Sequence, residues 1–439
     1  MKYYNNLTEL IGNTPLVKLN KVTEGIDCTV LAKVEYFNPG GSIKDRIAEG
    51  LIDAAEASGQ LKPGGTIVEP TSGNTGIGIA LVAQQRGYKC IFVLPDKVAQ
   101  DKIDTLKAYG AEIVVCPTAV AHEDPRSYYS VSDRLAKEIP GAFKPDQYSN
   151  LNGPKSHYES TGPEIWQDTE GKVTHVVIGV GTGGTVSGTG KYLKEVSGGA
   201  VQIIGCDPAG SVYSNGAGRP YLVEGVGRGD DFLPEAFDSS VVDEIIPVPD
   251  LDSFMMTRRL AKEEGLLVGP SCGMAVVAAL KVAKDLPKDA VVVVILPDGG
   301  RGYLAKVFND TWMRTHGFMP RLDDAVEDLI TGTLQQPAVT RVKLKNTVAD
   351  ALATNAEYLV VFENEPPVRV GEVLGMVSRE KLLKLNQADL IADHLEPKPA
   401  LLGYTDTINR AKEVLASNNC ALVLREGEVL GLLTKSALG

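Results

Sequence analysis

The chain has little of what builds a metal centre, a disulfide framework or a membrane anchor. Its five histidines are scattered without ligand spacing, so no metal site is expected. The six cysteines, Cys28, Cys90, Cys116, Cys206, Cys272 and Cys420, include no C-x-x-C pair. Most lie in apolar, strand-like runs, which suits buried free thiols in a reducing compartment better than disulfides. No apolar stretch reaches membrane-spanning length. The start, Met1-Lys2-Tyr3-Tyr4-Asn5-Asn6, is polar and lacks the apolar core of a signal segment. Positive charge is in deficit: 44 Lys and Arg face 56 Asp and Glu, a net −12, which argues against nucleic acid as a partner. What remains is ordinary globular composition, 43% hydrophobic and 23% charged, and a cytoplasmic location is expected. The 439 residues leave room for two or three domains at about 150 residues each.

Up to about Phe318, short β-rich runs alternate with helical patterns. Cys28 to Val34, Thr66 to Glu69, Lys89 to Leu94, Glu112 to Cys116, His175 to Val180, Val201 to Asp207 and Ala290 to Leu296 read as strands. Helical patterns such as Gly76 to Arg86 and Lys97 to Tyr109 lie between them. This alternation predicts an α/β architecture, doubly wound and mainly parallel, with ligands at the carboxyl ends of the strands. Beyond Phe318 the pattern changes. Gly371-Glu372-Val373-Leu374-Gly375-Met376-Val377-Ser378 returns as Gly427-Glu428-Val429-Leu430-Gly431-Leu432-Leu433-Thr434. Asn346-Thr347-Val348 parallels Asp406-Thr407-Ile408, and Asp328-Leu329-Ile330 parallels Asp389-Leu390-Ile391. Two similar units stack because each alone leaves an apolar face uncovered. The expected domains are 1–318, a linker at 319–325, then 326–388 and 389–439, the last two forming an α+β pair.

Three polar turns carry candidate chemistry. Lys44 follows Pro39-Gly40-Gly41-Ser42-Ile43 and opens an apolar-periodic stretch, which places its amine near the first turn of a helix. Thr71-Ser72-Gly73-Asn74-Thr75-Gly76 follows one strand, and Gly179-Val180-Gly181-Thr182-Gly183-Gly184-Thr185 follows another. Free N–H groups at helix starts hold carboxylates and phosphates. Singly, each has a plainer reading: a surface lysine, a capped helix start, a structural glycine turn. Gly179, Gly181 and Gly184 also satisfy G-x-G-x-x-G, with Asp207 placed for a ribose, so a dinucleotide site competes with a phosphate-only loop. No lysine follows at Walker spacing. One lysine between two anion-cradling turns suits an amino-acid enzyme built on pyridoxal 5′-phosphate, and a dinucleotide enzyme has no need of Lys44 or of Thr71 to Gly76.

From about Leu7 to Phe318 the chain resembles the fold-type II pyridoxal-phosphate enzymes of the cysteine synthase and cystathionine β-synthase family. Leu10-Ile11-Gly12-Asn13-Thr14-Pro15-Leu16 is typical of the whole group. Gly40-Gly41-Ser42, Lys44-Asp45-Arg46, Asp146-Gln147-Tyr148, and Leu296-Pro297-Asp298 running on to Trp312, look like its cystathionine-forming branch. The C-terminal repeat resembles a tandem pair of the small CBS domains found in that branch. The resemblance implies that Lys44 is the Schiff-base lysine and that Asn74 bonds the cofactor's ring hydroxyl. It implies Gly181, Thr182, Gly183, Gly184 and Thr185 as the phosphate loop, and Ser271 facing the pyridine nitrogen. Thr71, Ser72, Thr75 and Gln147 would surround the substrate carboxylate. The implied reaction joins serine to homocysteine, with cysteine synthesis from an activated serine and sulfide as the alternative and an adenosyl-ligand sensor as the non-enzyme one. A homodimer or homotetramer is implied. The catalytic pattern begins within ten residues of Met1, so haem is not expected. Relatives carry a tyrosine after Gly-x-Gly where this chain has Gly225-Val226-Gly227-Arg228-Gly229-Asp230-Asp231, which leaves the thiol acceptor open. S-adenosylmethionine is the implied effector of the repeat. The residues standing at its usual ribose contact are Lys381 and Ala437, neither a carboxylate, so a structural role is weighed equally with a sensing one.

Overall fold

A computed structural model describes residues 1–439 apart from 72, 97, 99, 118, 119, 121–123, 217, 229–232, 320–325, 327–339, 355 and 436–439. Ser72, the linker, Asp328 to Ile330, Gly229 to Asp231 and Ala437 therefore lie wholly or largely outside the described residues. The chain divides into two compact units, Met1–Gly218 with Val223–Tyr303, and Arg219–Leu222 with Leu304–Gly439.

The first unit is built on a six-stranded sheet. In spatial order its strands are Leu16–Lys18, Thr29–Val34, Val291–Leu296, His175–Gly179, Gln202–Pro208 and Glu244–Val248. All neighbours are parallel except Leu16–Lys18, which runs antiparallel along Thr29–Val34. Val291–Leu296 is apolar throughout and buried from its second residue on, as a parallel strand covered on both faces must be. The expected strands differ from those observed by a residue or so at their ends. Two strands carried no usable signal. Leu16–Lys18 is too short to show a period. Glu244–Val248 is exposed at Glu244 and at Pro247, which a sheet edge tolerates because no ladder bond is needed on the outer side.

A second, three-stranded parallel sheet, Thr66–Glu69, Lys89–Pro95 and Glu112–Cys116, lies within the same unit. Ile67, Phe92 and Leu94 pack there with Ile79 of the helix Asn74–Arg86 and with Leu106. Burying such side chains contributes about 1.5–3 kcal/mol each. The helix expected from Lys97 to Tyr109 is observed as Gln100–Ala108.

In the second unit the repeat becomes two similar sheets. Arg341–Val342, Tyr358–Val361 and Gly375–Ser378 form one; Ala400–Gly403, Cys420–Arg425 and Glu428–Thr434 form the other. In each the first pair is parallel and the second antiparallel. Thr347 and Thr407 cap equivalent helices through backbone N–H groups. The core of each sheet borrows across the repeat. Val326 packs with Leu402 and Ala411, and its N–H donates to Asp406 O at 2.7 Å. Ile391 packs with Val342 and Leu359, and its N–H donates to Asn346 O at 2.9 Å. A division at 388/389 thus cuts through the first core. The division at Phe318 also shifts, to between Tyr303 and Leu304, because Leu304 onward packs with the repeat. Glu426 N, for example, donates to Gly317 O at 3.4 Å.

Candidate active site

Lys44 is the first residue of the helix Lys44–Ala57. The turn before it closes through Gly41 N donating to Asn38 O at 2.8 Å, with Gly41 at φ +82°, a conformation only glycine takes without strain. A side chain at Gly40 would meet Asp45 Oδ1 at 2.4 Å, and Gly40 N instead donates to Asp45 Oδ2 at 2.5 Å. The turn is stitched to the segment after Val291–Leu296. Ile43 N donates to Pro297 O at 2.8 Å, and Ser42 and Asp298 form an antiparallel bridge. Lys44 is thereby fixed at the carboxyl end of the sheet.

It lines a cavity together with Gly181, Thr182, Gly183 and Thr185. Burial disfavours charge on the Lys44 amine, and Asp298 offsets part of this, leaving the amine at about 8. The glycine loop leads into the helix Gly184–Val196, which has no side-chain cap and no acid in its first turn. A Cβ at Gly183 (φ +90°) would lie 2.4 Å from the Phe237 Cβ, and one at Gly181 would lie 2.9 Å from Gly225 O. Backbone donors with threonine hydroxyls and no competing carboxylate fit a phosphate. Asp207, the acid needed by a dinucleotide site, is buried and accepts bonds from Ser214 N at 3.0 Å and Ser214 Oγ at 2.9 Å. Its Oδ2 is occupied locally and burial raises the carboxyl, which weakens the nicotinamide reading.

Asn74 and Ser271 do not line that cavity, although Asn74 and the turn that leads into Ser271 both approach Asp298. Asn74 Nδ2 donates to Asp298 Oδ2 at 2.8 Å. Ser271 is buried in the first turn of Pro270–Ala283, and a Cβ on the preceding Gly269 would strike Asp298 Oδ1 at 2.1 Å. Tyr303 OH donates to the same Asp298 carboxylate at 2.7 Å. Burial raises the Asp298 carboxyl, against the bonds from Tyr303 and Asn74. Thr75 Oγ1 donates to Gln147 Oε1 at 2.7 Å, so the bond to Thr75 does not use the Gln147 amide N–H₂. Gln147 is positioned from below by buried Glu69, whose carboxylate accepts Asp146 N at 2.9 Å and Gln147 N at 3.2 Å. Thr71 is buried beside them. Gly184 is the first residue of the phosphate-side helix rather than a cavity wall.

Sequence reading quoted Asp298 only within a family motif, without a role, and passed over Tyr303, Lys102 and Glu224. Lys102 pairs with Glu224 and stands 5.9 Å over the Tyr303 ring. The signal for Asp298 was present, since it directly follows a buried parallel strand; nothing marked the other three.

Comparison with known proteins places these features. Residues 7–298 match the family described as pyridoxal-phosphate dependent enzyme. Cystathionine beta-synthase of Apis mellifera is 48% identical over 325 residues, which are 72% of this chain and 64% of that protein. Cystathionine beta-synthase of Mus musculus is 39% identical, covering 97% of this chain and 78% of its own. The crystal structure of an O-acetylserine dependent cystathionine beta-synthase from Helicobacter pylori matches with a TM-score of 0.65 at 39% identity, covering 70% of this chain and 99% of its own.

Proposed function

The chain belongs to the pyridoxal-phosphate dependent enzymes, and from that premise we propose that it condenses L-serine with L-homocysteine to L-cystathionine and water by β-replacement. The observation that carries this is a lysine at about 8 sharing one cavity with an uncapped, acid-free glycine loop. Bound pyridoxal 5′-phosphate supplies an electron sink that acidifies the Cα–H of an amino acid and eases departure of its β-substituent.

The chain's own residues do the rest. The N–H groups at Gly183 to Thr185 and the Thr182 and Thr185 hydroxyls hold the phosphate. Lys44 would anchor the cofactor and, with its amine free, would be the base for the Cα proton. An amine near 8 is neutral often enough at pH 7–8 to serve. Asn74 is held in place by Asp298 and addresses the ring hydroxyl. Ser271 offers the pyridine nitrogen a neutral hydrogen bond, which limits the sink and favours elimination and replacement over transamination. Thr71, the Thr75 backbone N–H and the Gln147 amide receive the substrate carboxylate beside the start of Asn74–Arg86. Ser72, which lies outside the described residues, belongs to the same proposed set.

Because the cofactor is captured by the neutral amine, its rate of loading onto cofactor-free protein should rise with pH, half-maximally near 8, and level off above. Stopped-flow absorbance from pH 6 to 10 checks this, and a half-point above 10 would show an unperturbed lysine.

Product analysis with serine plus homocysteine tests the reaction. The Helicobacter pylori neighbour's dependence on O-acetylserine supports a second reading of the donor. Cystathionine from O-acetylserine but not from serine would establish that reading, and cysteine from O-acetylserine and sulfide alone would replace both.

The second unit is proposed to be a CBS-type pair that biases the enzyme through an adenosyl ligand such as S-adenosylmethionine, or else stabilises it. Lys381, at one expected ribose contact, donates to His394 O at 2.9 Å. A carboxylate at that position would add a charge-assisted bond worth about 1.5–3 kcal/mol. Calorimetry of the intact protein is thus expected to show weak S-adenosylmethionine binding at best; a submicromolar constant would contradict this. The assembly is proposed to be a homodimer or larger, in the cytoplasm; among the described residues no helix is long and apolar enough to cross a membrane.

A further inference from the structure

His157 lies behind the cavity wall and is fully buried. It sits on the helix Asn152–Glu159, which approaches Gly184–Val196 so closely that a Cβ on Gly188 would lie 1.9 Å from Pro154 O and 2.9 Å from the His157 Cβ. At that crossing the ring spans two hydroxyls. Its Nδ1 is 2.9 Å from Thr161 Oγ1, and its Nε2 is 3.2 Å from Thr185 Oγ1. Thr161 is fully buried, whereas Thr185 lines the cavity.

Satisfying these groups fixes the direction of both bonds. A neutral imidazole has one N–H donor and one acceptor nitrogen. With the proton on Nδ1, Thr161 would accept, and its own O–H would be buried without that acceptor. Thr185 would at the same time spend its proton on Nε2. With the proton on Nε2, Thr161 donates to Nδ1 and Nε2–H donates to Thr185. The Thr185 O–H is then left to point into the cavity. A doubly protonated ring would repeat the first fault. Burial, with Lys44 and Arg46 nearby, holds the imidazole well below its usual range, and Glu164 pulls only weakly the other way.

We propose that His157 is a positioning residue that aims the Thr185 hydroxyl, as a donor, at the phosphate of pyridoxal 5′-phosphate. This rests on the cofactor reading above and deepens it: the cradle has a proton order imposed from behind.

The test begins with the unaltered, cofactor-loaded protein labelled with ¹⁵N-histidine. Long-range proton–nitrogen spectra should show His157 as the Nε2–H tautomer, without titration between about pH 6 and 9. An Nδ1–H or titrating ring would overturn the proposal. Cofactor-free protein is then titrated with pyridoxal 5′-phosphate and with pyridoxal, which lacks the phosphate. His157→Asn should weaken the phosphate form at least about tenfold, the scale of a hydrogen bond to a charged group, and leave pyridoxal unchanged. His157→Gln, whose amide nitrogen can reach the Nε2 position, should restore most of the loss. Thr185→Val should give the same loss, and adding His157→Asn to it should cost nothing more. Equal losses for both ligands, or additive losses in the double variant, would reduce His157 to a packing residue. Should His157→Asn fail to fold, the tautomer and the Thr185→Val comparison still decide. If the unaltered protein binds pyridoxal but gains nothing from the phosphate, the His157 role falls and the cofactor reading stands; if it binds neither, both fall.

Discussion

Lys44→Ala is expected to abolish the visible absorbance of the loaded protein and to lower turnover by roughly 10²–10⁴ for the lost base alone, more once covalent retention goes with it. The neighbouring groups offer no replacement. Asp298 is buried and already accepts from Asn74 and Tyr303. Asp45 faces the Gly40 turn. Both nitrogens of His157 are engaged by threonines. A small primary amine added to the variant should restore part of the rate, because what is missing is a neutral amine at that spot. Spectra and turnover of purified Lys44→Ala with serine and homocysteine measure both; retained absorbance and rate would remove Lys44 from the mechanism.

Arg46→Leu is expected to cost about 3–5 kcal/mol of stability without touching substrate. Arg46 is buried on the Lys44 helix. Its Nε and Nη2 donate to Glu35 at 2.8 and 2.9 Å, and its Nη1 and Nη2 donate to Glu164 at 2.7 Å each. Lys33 Nζ adds 2.7 Å to Glu164 and 2.6 Å to Thr14 O. Removing the guanidinium leaves the buried Glu35 carboxylate without its cation and facing the partly exposed Glu164 across the vacated space. Arg46→Leu combined with Glu35→Leu should recover part of the loss, since a removed pair is tolerated better than an orphaned charge. Burial alone would raise Glu164, but the bonds from Arg46 and Lys33 win and hold it at about 2. Its folded value lies below the unfolded one of about 4.3, so its stabilisation is full above that pH and is lost as pH falls toward 2. Arg46→Leu should flatten that acid-side decline. Urea unfolding at several pH values measures the loss and its slope; a change under 1 kcal/mol would refute the estimate.

Much of this molecule was legible before any coordinates. Short β-rich apolar runs located the main parallel strands, and polar turns after Glu69 and Ile178 pointed to their carboxyl ends. Lys44 gained meaning only in company, because one lysine is ordinarily a surface charge. What stayed hidden depends on long-range contact. Asn74 and Asp298 bond across 224 residues, and Arg46 reaches Glu164 across 118; no local pattern carries such pairings. His157 looked like one scattered histidine among five. The repeat was plain, but the crossing of Val326 into the second core and Ile391 into the first was not, since identical apolar segments suit either core.

The six cysteines bear on the proposed chemistry in another way. All are buried, and burial raises every thiol, Cys90 to about 12 and Cys420 to about 11. Exchange requires a thiolate attacking in the open. An enzyme that handles free homocysteine, and meets its oxidised dimer, works among reagents that cap exposed sulfur as mixed disulfides. Keeping its own sulfurs protonated and out of reach makes the folded chain a bystander to that exchange: it can transform a thiol for a living without becoming one of the thiols in the pool.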